Sequence, residues 1–260
     1  MATGTITWEE VEHTGWIWID RPHKRNAMTD AMWGTLSDIL AQASHTGVRS
    51  VVIAGRGGTF LAGADILEFE STKATPEAAM DSFRSVDSAC RAVQEVAMPI
   101  IAAIEGYAVG AGLELAAACD FRLASTTARL GITAAKLAIT PGRGHITRLR
   151  NVIGTAHSLD LLLTGRLVSA NEAYAMGLVT EVVPSEDSVL SRAQALGETL
   201  ASRAPGSLRW IKQTIYGAQG TLTDDPDADA QEATQCFATE DFREAVQAFR
   251  GKRPPVFTGH

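Results

Sequence analysis

The feature that most constrains the fold is an alternation of short apolar runs with helix-like segments between residues 14 and 125. The strand-like runs read "TGWIWIDRP", "VRSVVIAG", "MPIIAAIEG" and "DFRLAS". After the first run, apolar residues recur at helical spacing from Met28 to Leu40, with Thr29 as the expected N-cap. A second amphipathic helix is expected over residues 76–96. Buried strands linked by helices predict an α/β fold with mainly parallel pairing.

The strand signal almost disappears after about residue 150. The periodicity there is helical, and it is interrupted by glycine, by proline and by one strand-like run, "LVTEVVP". We therefore expect an α/β core over residues 1–195 and a helical C-terminal region over residues 196–260.

Composition argues against several functional classes. The chain has 260 residues and a formal net charge of −7, which disfavours general binding to nucleic acids. No apolar run approaches the roughly 20 residues that span a membrane, and no secretory signal is recognisable. We therefore expect a cytoplasmic protein without a membrane or nucleic-acid partner. Cys90, Cys119 and Cys236 form no CxxC pair, so we expect buried thiols and no metal site.

Two stretches of small residues precede expected helix N-termini. Gly110 and Ala111 stand at one of them, and Gly63 and Ala64 at the other. Amides at a helix start lack intrahelical partners, so two such sites aimed at one point would suit an oxyanion. Close packing of small residues is the alternative explanation. Neither stretch matches a P-loop, a Rossmann fingerprint or a GxSxG elbow.

Several motifs, in this order, give the chain a specific resemblance. They are "RPHKRNAM", "FLAGADILEF", "EGYAVGAGLELAAACDFRLAS", "PGRG", "LLLTGRLVSANEAYAMGLVTEVV" and "EAVQAFRGKRPPVF". Together they resemble the enoyl-CoA hydratase/isomerase family, also called the crotonase superfamily, over essentially the whole chain. The resemblance implies a crotonase-like spiral of ββα units with a helical C-terminal region used for trimerisation. It also implies an acyl-CoA thioester substrate, a homotrimer or dimer of trimers, and no cofactor besides the coenzyme A carried by the substrate.

The resemblance also implies roles for individual residues. The amides of Ala64 and Ala111 would form the oxyanion hole, and Glu114 would be the catalytic acid–base group. An apolar setting on the first turn of a helix should raise the pKa of Glu114. The residues implied in binding coenzyme A or the substrate are Lys24, Arg25, Ala27, Ala62, Gly63, Asp65, Ile66, Leu67, Gly110, Phe249 and Lys252.

The sequence departs from the family pattern at one position. The hydratases of the family that this chain resembles use two glutamates, and Ala134 stands where the second one is expected. No acidic residue lies between Asp120 and Asp160, so no shift of register supplies one. The possible acyl-pocket residues in this interval are Ala134, Leu137, Arg143 and His145.

Each basic residue in this interval has two interpretations. Arg143 could pair with a substrate carboxylate, and His145 could donate a proton. A cap or an interface residue is the alternative for each. We expect Arg148 and Arg150 to lie on a solvated or trimer-facing surface.

Three functions remain open at this stage. The first is an enoyl-CoA hydratase or isomerase with Glu114 as its single acid–base group. The second is a decarboxylase or hydrolase for acyl-CoA on the same fold, since enolate chemistry needs chiefly the oxyanion hole and a proton donor. The third is a protein that binds CoA or RNA with little catalysis.

Overall fold

A computed structural model describes residues 4–68, 75–184, 188–217 and 234–259. The strands are β1 (Thr5–Val11), β2 (Thr14–Asp20), β3 (Ser50–Gly55), β4 (Ile100–Ile104), β5 (Tyr107–Val109), β6 (Phe121–Ser125), β7 (Arg129–Gly131), β8 (Val168–Ser169) and β9 (Glu181–Val183). The helices are α1 (Asp30–Ala43), α2 (Pro76–Glu95), α3 (Ala111–Ala118), α4 (Arg143–Thr164), α5 (Ala170–Ala175), α6 (Val189–Ala201), α7 (Pro205–Gly217) and α8 (Glu240–Gly251). Short 3₁₀ helices cover Pro22–Lys24, Ile66–Glu68, Ala134–Leu137 and Gln235–Ala238.

The main sheet has six strands in the order β1-β2-β3-β4-β6-β9. The hairpin β1–β2 is antiparallel, and every other pair in this sheet is parallel. This confirms the predicted α/β class with mainly parallel pairing. The apolar runs of β3 and β4 are buried at every residue because helices cover both faces.

One face of the main sheet packs on α6, and the other supports the larger core. Trp16, Val52 and Ile101 point to the α6 side together with Ala193 of that helix. Alternate residues such as Ile53 join the larger core with α1, α2 and α3. The predicted boundary at residue 195 falls inside α6 and stays a prediction.

A second sheet, β5-β7-β8, was not predicted from the sequence. Its strands are two or three residues long, too short for an alternating pattern to stand out. Isolated parallel bridges join Leu61 to Ala108 and Met28 to Ala64. These contacts bring the two stretches of small residues together.

The helical C-terminal region is confirmed, although β8 and β9 interrupt the helices that precede it. Helix α4 is broken at Gly154, whose φ of 72° is left-handed. Cys90 and Cys119 are buried free thiols, and Cys236 is half-buried. Within the described residues, no helix is long and apolar enough to cross a membrane. The same residues contain no cluster of metal-ligating side chains.

Candidate active site

The backbone at Gly63 and Ala64 packs against the turn that starts α3. Leu61 pairs with strand β5 through both of its backbone groups. Its amide donates to the Tyr107 carbonyl at 2.9 Å, and its carbonyl accepts from the Val109 amide at 3.0 Å. Gly63 has a φ of 115°, and a Cβ there would lie 3.0 Å from the Val109 carbonyl oxygen and 3.9 Å from the Ala111 nitrogen. Glycine is therefore required where these two backbone segments approach each other.

The amides of Ala64 and Ala111 are both left without a partner by the local secondary structure. Ala111 is the first residue of α3, so its N–H has no intrahelical acceptor. At the other segment, Gly63 accepts from the Met28 amide at 2.9 Å and Asp65 donates to the Met28 carbonyl at 3.0 Å. These two hydrogen bonds use Gly63 and Asp65 and leave the amide of Ala64, between them, unused. The geometry therefore offers two donors on neighbouring backbone segments, while their catalytic role stays a prediction.

Glu114 lies on the first turn of α3, directly after these donors. Its amide donates to the Gly110 carbonyl at 3.1 Å, and its side chain is only 11 % exposed. Burial raises the pKa of Glu114 to about 7, with Arg148 acting to lower it and Asp87 to raise it further. A carboxyl group with a pKa near neutrality can both accept and return a proton.

The structure places His145 against Glu114. Its Nδ1 lies 3.4 Å from Glu114 Oε2, and its side chain is 3 % exposed. Burial lowers the pKa of His145 to about 4, and the nearby charge of Arg148 lowers it as well, against an opposing effect of Asp87. The imidazole is therefore neutral at physiological pH.

The prediction that Arg148 lies on a solvated or trimer-facing surface is wrong, whereas Arg150 is exposed. The Arg148 side chain is buried, and its Nη1 lies 3.1 Å from His145 Nδ1. Its Nη2 donates to Asp87 Oδ1 at 2.7 Å and its Nε to Gln94 Oε1 at 2.8 Å. The negative charge that pairs with Arg148 thus comes from Asp87 on α2, which is distant in sequence.

Sequence reasoning missed Asp87 and Gln94, although a signal was present. The two residues stand seven positions apart on an amphipathic helix and so share one face. His145 and Arg148 are likewise adjacent along one face of α4. A polar pair on each of two helices indicates a possible contact, but only the fold shows which helices meet.

The predicted CoA-binding residues near the N-terminus lie around one turn. Lys24 ends the 3₁₀ helix Pro22–Lys24, and Arg25 has a left-handed φ of 50°. The Arg25 guanidinium lies 5.5 Å from the centroid of the Tyr107 ring. The backbone carbonyl of Arg25 accepts from the Ala62 amide at 3.1 Å. This turn therefore lies against the segment that carries Ala64. Ala27, two residues further on, is half-buried.

The remaining predicted binding residues differ in their surroundings. Asp65 is buried and accepts from Arg21 at 2.7 Å, which gives it a structural role. Ile66 is exposed, and the side chain of Leu67 lies outside the described residues. On α8, Phe249 is 86 % exposed and Lys252 caps the helix end with a φ of 51°. Within this single chain, the described contacts do not join Phe249 or Lys252 to Glu114.

The sequence profile described as enoyl-CoA hydratase/isomerase matches residues 10–260. The chain belongs to this family. A probable enoyl-CoA hydratase from Bacillus subtilis is 36 % identical over 240 residues, covering 90 % of this chain and 91 % of the relative. The human enoyl-CoA hydratase domain-containing protein 2, mitochondrial, is 35 % identical over 253 residues, covering 94 % and 85 % respectively.

The fold of this family member also matches solved structures. The crystal structure of an enoyl-CoA hydratase/carnithine racemase from Magnetospirillum magneticum superposes with a TM-score of 0.94. The two chains are 32 % identical, and the match covers 100 % of this chain and 97 % of the other. The expected crotonase-like fold is thereby confirmed.

In this member of the enoyl-CoA hydratase/isomerase family, Ala134 opens a 3₁₀ helix and is half-buried against the core. Leu137 at the end of that helix is 47 % exposed, and Arg143 is exposed at the first turn of α4. Among the carboxylates described, the one with a marked effect on the pKa of Glu114 is Asp87, which is paired with Arg148 at 2.7 Å. Ala134 itself supplies no carboxyl group at the position expected for the second glutamate.

Proposed function

We propose that this protein acts on an acyl-CoA thioester by forming an enolate, and that isomerisation of a 3-enoyl-CoA to a 2-enoyl-CoA is its reaction. The observation that carries the proposal is the buried carboxyl group of Glu114, which has a pKa of about 7 and lies on the same first turn of α3 as the amide of Ala111. The amides of Ala64 and Ala111 would polarise the thioester carbonyl. Removal of one such donor typically lowers the rate by about 10²–10³-fold.

Isomerisation fits one carboxyl group better than hydration does. Glu114 can take a proton from Cα and return one to Cγ, so that a single group serves both steps. Hydration must also hold and activate a water, and Ala134 removes the second carboxylate expected for that task. The names of the relatives nevertheless make enoyl-CoA hydration the second candidate. Decarboxylation or hydrolysis of an acyl-CoA is the third, motivated by Ala134.

The coenzyme A moiety is proposed to lie along the turn with Lys24 and Arg25, which supplies positive charge close to Ala64. Phe249 and Lys252 would contact it from α8 of a neighbouring subunit. The exposed apolar side chains of the C-terminal helices, including Ile215 and Phe242, support a trimer or a dimer of trimers. Light scattering coupled to size-exclusion chromatography tests the assembly, and a monomer would contradict it.

A cytoplasmic location remains part of the proposal. It is supported by Cys90 and Cys119, which are buried thiols outside any disulfide, as is usual in reducing compartments. The human relative is named as mitochondrial, so fractionation of the native cells decides the point.

The function is tested by presenting three substrate classes to the purified protein. We expect a 3-enoyl-CoA to be converted to its 2-enoyl isomer, with slower or no hydration of crotonyl-CoA. Hydration of crotonyl-CoA without isomerisation would establish the second candidate, and turnover of a malonyl-type CoA ester alone would establish the third. Tight binding of RNA at physiological salt, without affinity for CoA, would exclude all three.

A further inference from the structure

A cavity of about 250 Å³ lies among α2, α3, α4 and α7. Ala117 and Arg148 belong to its wall, whereas Glu114 and His145 do not. Ala117 follows Glu114 by three residues on α3, so the two residues share one face of that helix. The cavity is therefore a neighbour of the candidate active site and is not part of it.

The wall of this cavity includes the guanidinium of Arg122, a residue that is only 7 % exposed. Nε of Arg122 donates to the Leu178 carbonyl at 2.8 Å, and Nη1 donates to the Cys119 carbonyl. These bonds use two of the five N–H groups, and both acceptors are uncharged. Within the described part of the chain Nη2 has no hydrogen-bond partner, and it is not closed off from solvent. Nη2 is therefore accessible from the cavity.

The positive charge of Arg122 has no counter-ion in its surroundings. Asp120 is close to it in sequence, but Asp120 Oδ2 accepts from Lys212 at 2.8 Å and Oδ1 accepts from Tyr216 at 3.0 Å. Among the residues described, no carboxylate forms an ion pair with Arg122. Burial lowers the pKa of Arg122, so the cation is less well stabilised here than in water. A buried charge is costly unless it is paired, so a ligand that supplies the negative charge would bind favourably.

The other groups in the wall leave this positive charge uncompensated. Arg148 also lines the cavity, but its Nη2 is paired with Asp87 at 2.7 Å. Nε of Arg148 donates to Gln94 Oε1 at 2.8 Å, which leaves the amide NH₂ of Gln94 as a donor in the wall. The carboxylate of Asp120 is already neutralised by Lys212. The wall therefore carries an excess positive charge together with a neutral N–H donor.

We propose that this cavity binds a small oxyanion, a phosphate or a carboxylate, through the guanidinium of Arg122. The planar fork of a guanidinium matches the oxygens of either group and can donate two parallel hydrogen bonds to them. A volume of about 250 Å³ is sufficient for such an ion, since one water takes up about 30 Å³. The site goes beyond the proposed acyl-CoA chemistry and does not depend on it.

The test is calorimetric titration of the purified full chain with inorganic phosphate and, separately, with acetate at constant ionic strength. Arg122→Gln removes the proposed anion-binding charge. Arg150→Gln is the matched control, because it makes the same change of charge at an exposed position of α4. Lys24→Gln tests the alternative that phosphate is held at the turn proposed for coenzyme A.

We expect wild type to bind phosphate, acetate or both with a stoichiometry of one. Arg122→Gln should weaken the affinity by about 10–100-fold, as the loss of a charge-assisted hydrogen bond predicts. Arg150→Gln and Lys24→Gln should each change it by less than about threefold. The anion that binds should also raise the melting temperature of wild type and leave that of Arg122→Gln almost unchanged. Binding of one anion alone would identify which oxyanion the site takes.

Val152→Phe provides a second variant if Arg122→Gln does not fold. Val152 lines the cavity and is half-buried, so the larger ring should fill the space while Arg122 is kept. We expect this variant to lose anion binding and to keep the circular dichroism spectrum of wild type. The inference would be overturned if wild type bound neither anion. It would also be overturned if binding survived in Arg122→Gln and Val152→Phe, or was lost in Lys24→Gln instead.

Discussion

Oε2 of Glu114 and Nδ1 of His145 lie 3.4 Å apart at the buried junction of α3 and α4. Burial moves their two pKa values in opposite directions, to about 7 for the carboxyl and to about 4 for the imidazole. Near neutral pH the imidazole is therefore neutral, and the group of the pair that titrates is Glu114.

The raised pKa of Glu114 predicts how activity and stability depend on pH. Proton abstraction needs ionised Glu114, so kcat/KM should rise with pH through an apparent pKa of about 7. The folded state binds more protons than the unfolded state between the ordinary pKa of glutamate and this raised value. Stability should therefore fall as pH rises through that window.

The measurement for this prediction is a pair of unfolding curves at several pH values for wild type and Glu114→Gln. We expect the variant to gain stability relative to wild type as the pH rises from about 5 to about 8. A constant difference across that range would show that the pKa of Glu114 is not raised in the folded protein.

Gly144 should be required for the contact between Asp87 and Arg148. A Cβ at this position would lie 2.6 Å from Asp87 Oδ1, so Gly144→Ala should lower the free energy of unfolding by about 1–2 kcal/mol through overpacking. Gly34→Ala is the matched control, because Gly34 lies in α1 and a Cβ added there would meet nothing within 4 Å. It should raise the free energy of unfolding by about 0.5–1 kcal/mol. Equal changes in the free energy of unfolding of both variants, measured with urea, would contradict the requirement for glycine beside Asp87.

The strands show what periodicity can predict. β3 and β4 were predicted because both of their faces are buried, which leaves continuous apolar runs. β5, β7 and β8 were missed because two or three residues cannot display an alternating pattern. Their positions are set by partners such as Leu61, which pairs with Ala108, and not by local preference.

Lys212 should be a major attachment of α7 to the core. Its buried Nζ donates to the Val93 and Met98 carbonyls at 3.0 Å each and to Asp120 Oδ2 at 2.8 Å. Lys212→Met leaves Asp120 without its cation, so we expect a loss of about 3 kcal/mol in the free energy of unfolding. The double variant Lys212→Met/Asp120→Asn should recover part of this loss. No recovery in denaturant titrations would show that the ion pair is unimportant.

Removing the amide of Ala111 should impair catalysis with little effect on folding. Ala111→Pro places proline at the first position of α3, where its missing N–H costs no helical hydrogen bond. We expect kcat for enoyl-CoA turnover to fall by about 10²–10³-fold. Glu240→Pro is the control, since exposed Glu240 is the first residue of α8. Similar kcat values for the two variants would exclude Ala111 from the oxyanion hole.

The candidate site was only partly predictable for a physical reason. Gly63, Ala111 and Glu114 belong to continuous motifs, so the sequence alone makes them candidates, and their roles stay a prediction. The environment of Arg148 depends on Asp87 and Gln94, which reach it only when α2 packs beside α4. The acid-free interval around Arg148 therefore looked like a surface, although its counter-charge lies in another helix.

The most direct test of the central claim is the turnover of a 3-enoyl-CoA by Glu114→Gln. The amide keeps the size of the side chain and removes its acid–base function, so kcat should fall by about 10²–10⁴-fold while affinity for coenzyme A is retained. Glu95→Gln, at an exposed position in α2, is the matched control and should leave kcat unchanged. Equal kcat values for wild type and Glu114→Gln would contradict the account.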